Sequence, residues 1–332
     1  VFGMGRKDTD YLHASARTSY LENKMVTESQ LMRAAGAGSV QEAYNILSSN
    51  SVFKDRKWED YRTTLEKDLT DTYTLIEDIT GNIGLTHVFR YHIDGHNMKV
   101  IVKSRQTGED RSDLYKSGGT VSVSNMEEAI GGKHLDSVNR VLAEAGAEAV
   151  KRFAQTGDPQ TVDLIIDAAV MKMMKGKALK LGDPLLIEYV MTQIDMINIA
   201  TALRLMRADA DGRMAEKVFS DEGSFSRSEF KKAFSEGYDG IRKLVKKLDY
   251  GEAVSKPIEN TEDVIFFEIM KENIMSELFY RMRVWAFGTG PVISFLYFKE
   301  REIRGCRFVL ASKEFNVSVK EIERGLSGIY GS

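Results

Sequence analysis

Proline and cysteine are both scarce in this 332-residue chain. Its four prolines make up roughly 1% of the residues, against the about 5% of average usage. Proline lacks a backbone N–H and clashes inside helices, so its scarcity points to long uninterrupted helices. The composition excludes a collagen-like or disordered chain and argues against a β protein built on proline turns. A single cysteine, Cys306, excludes a disulfide framework and suits a reducing compartment. Net charge is also slight: 46 basic and 49 acidic side chains leave −3. This balance argues against a general nucleic-acid binder, which needs a basic footprint to displace counterions. Long apolar runs are missing too. The best stretch, Val284 to Phe298, contains Gly288-Thr289-Gly290-Pro291 and falls short of the ~18 residues a spanning helix needs. Val1 to Asp10 hold no apolar signal-peptide core. The expectation is a cytosolic protein without a membrane span.

Catalytic motifs are absent as well. There is no G-x-x-x-x-G-K-[ST] loop, no G-x-G-x-x-G turn and no H-E-x-x-H pair. Gly36-Ala-Gly38-Ser39 is read as a turn with a serine cap. Asp209-Ala-Asp211-Gly212 has the look of a calcium loop, but Arg207 and Val218 stand where acids are required. Of five histidines, His87, His92 and His96 cluster around Asp94. His92 and His96 are four apart and share a helix face, a spacing that can hold a transition metal. Gly95 lies between them, and no repeat partner supplies a second histidine pair. The cluster is read as structural or surface, with a metal-dependent enzyme as the competing reading. Cys306 is assigned to the core. No cofactor and no small-molecule substrate are expected.

What the chain does have is helical periodicity. Leu186, Val190, Ile194, Ile197, Thr201 and Leu205 trace one face of a helix. Asp183 stands where it can cap that helix, and Pro184 suits its first turn. Ser39-Val-Gln-Glu42, Ser124-Asn-Met-Glu127 and Ser226-Arg-Ser-Glu229 are capping-box patterns. A first helix is expected from about Tyr11 to Ala35. The alternation Thr120-Val-Ser-Val-Ser124 is too brief for a sheet. The fold class is all-α.

The chain also resembles itself. His87 to Asn97, Glu188 to Asn198 and Ser294 to Arg304 look alike, the first two sharing Ile-Asp-x-x-Asn. From Asp94 to Asp195 the step is 101 residues. A preceding helix in each unit carries Leu65-Glu66, Ile166-Asp167 or Phe267-Glu268, again at steps of 101. In the third unit the matching acid is Glu300 or Glu302. Gly119-Thr-Val-Ser122 resembles Gly223-Ser-Phe-Ser226 at a step of 104. Three units follow, at residues 1–115, 116–219 and 220–332, each too long for the roughly 33–47-residue helical solenoids and therefore a small bundle.

The pairs Asp94/Asn97 and Asp195/Asn198 sit one helical turn apart, so the amide can orient the carboxylate. Arginines follow in each unit: Arg105, then Arg204 and Arg207, then Arg304 and Arg307. A solvated charged face is one reading. The other is three similar polar faces offered to a partner, the helices that contain Asp94, Asp195 and Glu300 facing inward or lining a socket.

These residues resemble a known family, the C subunits of V-type and archaeal-type rotary ATPases, called d in eukaryotic vacuolar enzymes. Tyr11-Leu-His-Ala14-Ser-Ala16-Arg17 with Leu21-Glu22 fits the family's N-terminal helix. Tyr189, Asp195, Asn198 and Leu203-Arg204 fit its middle helix. Pro291, Lys299-Glu300-Arg-Glu302-Ile303-Arg304 and Arg307-Phe-Val-Leu310 fit its last unit. Arg304-Gly305-Cys306 departs from a commoner Asn and Leu, and Gly95 interrupts the first polar helix. The resemblance implies a funnel of three helical bundles about a pseudo-threefold axis, and a non-catalytic place in the central stalk, peripheral on the membrane. Its implied partners are the rotor shaft subunits D and F and the membrane proteolipid ring. A generic helical scaffold unrelated to rotary ATPases is the alternative.

Overall fold

The computed structural model describes residues 11–48, 56–133, 138–207, 219–259, 264–284 and 288–331. Among these residues all regular structure is helical and there is no strand. Asp209-Ala-Asp211-Gly212 and Val1 to Asp10 lie outside the described residues. Three of the four prolines stand where their missing N–H does no harm. Pro159 precedes α8 (Gln160–Leu181), Pro184 opens α9 (Pro184–Arg207), and Pro291 opens α14 (Gly290–Glu314). Asp183 caps α9 as expected, its Oδ1 accepting from the Leu186 N–H at 2.9 Å.

The chain packs as two compact units. A terminal unit comprises Val1–Asn82, Ala202–Asp209 and Lys232–Ser332; a middle unit comprises Ile83–Thr201 and Ala210–Lys231. This division follows packing, and its boundaries differ from the repeat boundaries near residues 115 and 219.

In the terminal unit, α1 (Leu12–Glu22), α2 (Glu28–Ala35), α3 (Val40–Ser48) and α4 (Tyr61–Thr80) pack with α14 and α15 (Val319–Tyr330). Leu31, Leu47 and Leu65 meet Ile303, Val309 and Ile322 in one apolar cluster. Each such fully buried side chain contributes about 1.5–3 kcal/mol. The unit also holds α11 (Gly237–Val245), α12 (Gly251–Glu259) and α13 (Val264–Arg283). The expected single helix from Tyr11 to Ala35 is corrected here: it breaks between α1 and α2. Thr27 takes an extended backbone and forms a capping box with Gln30, which restarts the helix. The Val26 N–H leaves the helical ladder for Glu302 Oε1 at 2.6 Å.

In the middle unit, α5 (Ile83–Thr107) lies against α7 (Arg140–Thr156) and α8, with α6 (Val123–Ile130) beside them. Gly95 does not interrupt α5, which runs unbroken. A Cβ at Gly95 would strike Val170 of α8, so the glycine serves close helix approach. Phe89 of α5 stacks on Tyr189 of α9, ring centroids 5.1 Å apart. The capping pattern at Ser124 is also displaced. Ser122 is the cap, accepting from the Asn125 N–H at 3.2 Å, which puts Ser124 inside α6.

Candidate functional site

The repeated polar residues are not surface groups. Asp94, Asn97, Asp195, Asn198 and Glu302 are all buried. A buried carboxylate is costly unless hydrogen bonds satisfy it, and each of these acids finds at least one partner in a turn distant in sequence. Asp94 Oδ1 accepts from the Thr120 N–H at 2.8 Å, while Thr120 Oγ1 donates to Oδ2. Asp195 repeats this with Ser224: N–H to Oδ1 at 2.7 Å and Oγ to Oδ2 at 2.6 Å.

The amides complete the pattern. Asn97 Nδ2 donates to the Lys116 carbonyl and its Oδ1 accepts from the Lys116 N–H, both at 2.9 Å. Asn198 clasps Ser220 in the same two-way manner, again at 2.9 Å. One residue before each hydroxyl stands a glycine, Gly119 or Gly223. A Cβ on either would overlap the Oδ1 of Asp94 or Asp195. The glycine marker and the acid marker of the sequence are therefore two halves of one joint. Just beyond it a capped short helix begins, α6 from Ser122 and α10 (Arg227–Ser235) from Ser226.

Of Glu300 and Glu302, it is Glu302 that meets a turn distant in sequence. Glu302 Oε1 accepts from Val26, immediately before Thr27 caps α2. Its Oε2 takes the Lys299 ammonium at 2.6 Å, and Lys299 also pairs with Asp68 at 2.7 Å. Burial pushes Lys299 toward neutrality, but Glu302 and Asp68 outweigh it and hold its ammonium above the usual lysine range. Glu300, half-buried, accepts from Tyr73 Oη of α4.

The arginines behave differently. Arg105, Arg204, Arg207 and Arg304 are exposed, and Arg307 is half-buried. Arg105 donates to the Glu127 carbonyl at 2.6 Å, and Arg204 lies 3.6 Å from Glu268. Of the histidines, His96 Nε2 bonds the Leu114 carbonyl at 2.8 Å, His87 leans on the Tyr91 ring, and His92 is exposed. Among the described residues no three His, Cys, Asp or Glu side chains come together as a metal set. Cys306 is buried in the core, where desolvation raises its thiol well above the usual value. No helix among the described residues is long and apolar enough to cross a membrane.

Sequence reasoning found the acids, amides and glycines but missed Thr120, Ser224 and Val26. The first two had a signal, since a hydroxyl follows each glycine. Val26 had none, because it contributes a backbone N–H that every non-proline residue has.

The whole pattern can be set beside known proteins. The family model described as the ATP synthase (C/AC39) subunit matches residues 14–325. The C subunit of the V-type sodium ATPase of Enterococcus hirae is 21% identical over 272 residues, 82% of this chain and 83% of that protein. The C subunit of the A-type ATP synthase of Methanothermobacter thermautotrophicus is 23% identical over 335 residues, covering 91% and 84%. Its counterpart from Desulfurococcus is 24% identical over 338 residues, covering 96% and 90%. With a match reaching from α1 to α15, the chain belongs to the ATP synthase (C/AC39) subunit family.

Proposed function

We propose that the protein is a non-catalytic central-stalk subunit of a V/A-type ATPase or ATP synthase. It would act as a socket that couples the rotor shaft, subunits D and F, to the membrane proteolipid ring. Torque from ATP hydrolysis would then reach the ring for proton or sodium transport, or return during synthesis. The observation that carries this reading is the family match over residues 14–325. By this reading the protein is cytoplasmic and peripheral on the membrane through its complex.

Three similar helical units with pseudo-threefold symmetry are the architecture we infer for it. The three joints support it, because in each an acid on a long helix grips the start of a short capped helix. Head-to-tail contacts of one kind close into a ring when the last unit meets the first. On this reading Glu302 gripping Val26 would be the return contact. Stiff helices held by buried joints suit a part that bears torque, since close-packed interiors transmit strain. The buried acids and amides then serve the joints. Arg105, Arg204, Arg207, Arg304 and Arg307 become the candidate partner contacts.

Reconstitution tests the reading. The purified chain, offered the shaft pair and the detergent-solubilised ring, is expected to retain both. Charge reversal at Arg204, Arg207 and Arg304 together is expected to weaken retention of at least one. Retention of neither by the wild-type chain would return the protein to the scaffold reading.

A further inference from the structure

At one turn of α14 the chain meets two segments distant from it in sequence, the turn at Val26 and the helix that carries Tyr330. Glu302 Oε1 holds the Val26 N–H, and Glu302 Oε2 holds Lys299, which in turn holds Asp68. One turn further, Gly305 occupies the place that Asn97 and Asn198 occupy in the other two long helices. A Cβ there would lie 2.9 Å from Tyr330 Cε2 and Oη and 3.0 Å from Leu31 Cδ1. The missing side chain thus leaves a notch, and Tyr330 of the last helix fills it beside Leu31 of α2. The Arg301 guanidinium lies 4.8 Å over the Tyr330 ring. The Tyr330 hydroxyl is buried without a hydrogen-bond partner, so packing and not a hydrogen bond seats it.

We propose that residues 302–305 of α14 form a clasp that ties the turn at Val26 to Tyr330, so that the two segments loosen together. Glu302 grips the first segment through its carboxylate, and the Gly305 notch grips the second through an aromatic ring. Leu31 links the two, its N–H donating to the carbonyl of Thr27 next to Val26 and its Cδ1 standing in the wall of the notch. Losing the carboxylate strands the Val26 N–H and leaves the buried Lys299 ammonium with Asp68 as its remaining ion-pair partner, so both groups draw water in. Water entering that turn undermines the seat of half-buried Tyr330 at its buried hydroxyl. The clasp is a property of the terminal unit and does not rest on the rotor reading.

Amide hydrogen exchange on the full chain tests it, with Glu302→Ala, Glu302→Gln, Tyr330→Ala and Asp94→Ala compared with wild type. Glu302→Ala is expected to speed exchange at Val26 roughly tenfold to a hundredfold, the range for losing a hydrogen bond to a charged group. The last turn of α15 should speed up several-fold in the same variant. Tyr330→Ala is expected to speed Val26 several-fold although the Tyr330 hydroxyl makes no hydrogen bond to Glu302 or Val26. Glu302→Gln, which keeps an acceptor of the same shape, should fall between wild type and Glu302→Ala at both segments. Asp94→Ala should loosen Thr120 and leave Val26 and α15 at wild-type rates. The clasp is overturned if Tyr330→Ala leaves Val26 unchanged, or if Asp94→Ala speeds Val26 as much as Glu302→Ala does. Should Glu302→Ala unfold the chain, Glu302→Gln and Tyr330→Ala decide by whether both segments respond.

Discussion

Asp94 and Asp195 meet their turns through neutral donors, a hydroxyl and backbone N–H groups, with the Val121 N–H joining that of Thr120 at Asp94. Glu302 holds Val26 with one oxygen and an ammonium with the other. The backbone task is the same: an acid on a long helix anchors the turn before a short capped helix. Only the second ligand differs, because Val26 has no hydroxyl and Lys299 supplies the missing donor. The neutral joints therefore depend on glycine, which lets the turn approach the carboxylate. The charged joint depends on a lysine that must stay ionised within the core.

That contrast breaks most visibly at Lys299. Lys299→Met leaves Glu302 and Asp68 close together without their shared cation, and removing one partner of a buried pair costs about 3–5 kcal/mol. Denaturant unfolding should register that loss, and Lys299→Met/Glu302→Gln should recover part of it. A loss below about 1 kcal/mol for the single variant would mean that the ammonium is not what holds this joint. The neutral joints should break at glycine instead. Gly223→Ala places a methyl on Asp195 Oδ1 and 3.2 Å from Ile194 Cγ2, with an expected cost of about 2–3 kcal/mol. Gly176 of α8 has open space, with nothing within 4 Å of where a Cβ would stand, so Gly176→Ala should instead stabilise by about 0.5–1 kcal/mol. Equal effects from the two alanines would remove close approach as the reason for Gly223.

A finer cut separates acceptor from charge. Asp195→Ala strands the Ser224 N–H and hydroxyl and should cost about 1–3 kcal/mol. Asp195→Asn keeps an oxygen of the same shape, and its cost should be under about half of that. If the two variants lose equally, the negative charge, not the acceptor geometry, holds the turn.

Much of this was legible in the sequence, and the rest has a physical reason for being hidden. Helical period, the Asp183 cap with Pro184, and the acid and glycine markers depend on short-range patterns, and each found its place. What the sequence could not convey was that Asp94 and Gly119 touch, since the contact spans more than six helical turns of chain. A polar residue recurring on a helix looks the same whether it meets solvent or a turn. Hence an acid expected to face a partner is fully buried. Glu300 and Glu302 could not be told apart because both lie on a helix buried on most sides. The break at Asn23 to Val26 was hidden for a related reason: the cap is a Thr–Gln box, and the deciding contact comes from residue 302.

The smallest expected effect concerns the sign of a pH dependence. Burial pushes the Asp94 carboxyl above its usual range, against the pull of its hydrogen bonds from Thr120 and Val121 and the nearby Arg90 guanidinium. The native chain then holds this proton more tightly than the unfolded chain does. Its contribution to stability is full below the ordinary value of 3.8 and declines as pH rises through the raised value. Asp94→Asn has no proton to release, so the stability of wild type relative to Asp94→Asn should fall with rising pH across that window. Urea unfolding of both proteins at a series of pH values gives this difference directly. A difference that rises instead would mean that the hydrogen bonds from the turn outweigh desolvation, and that the ionised carboxylate is better held in the joint than in water.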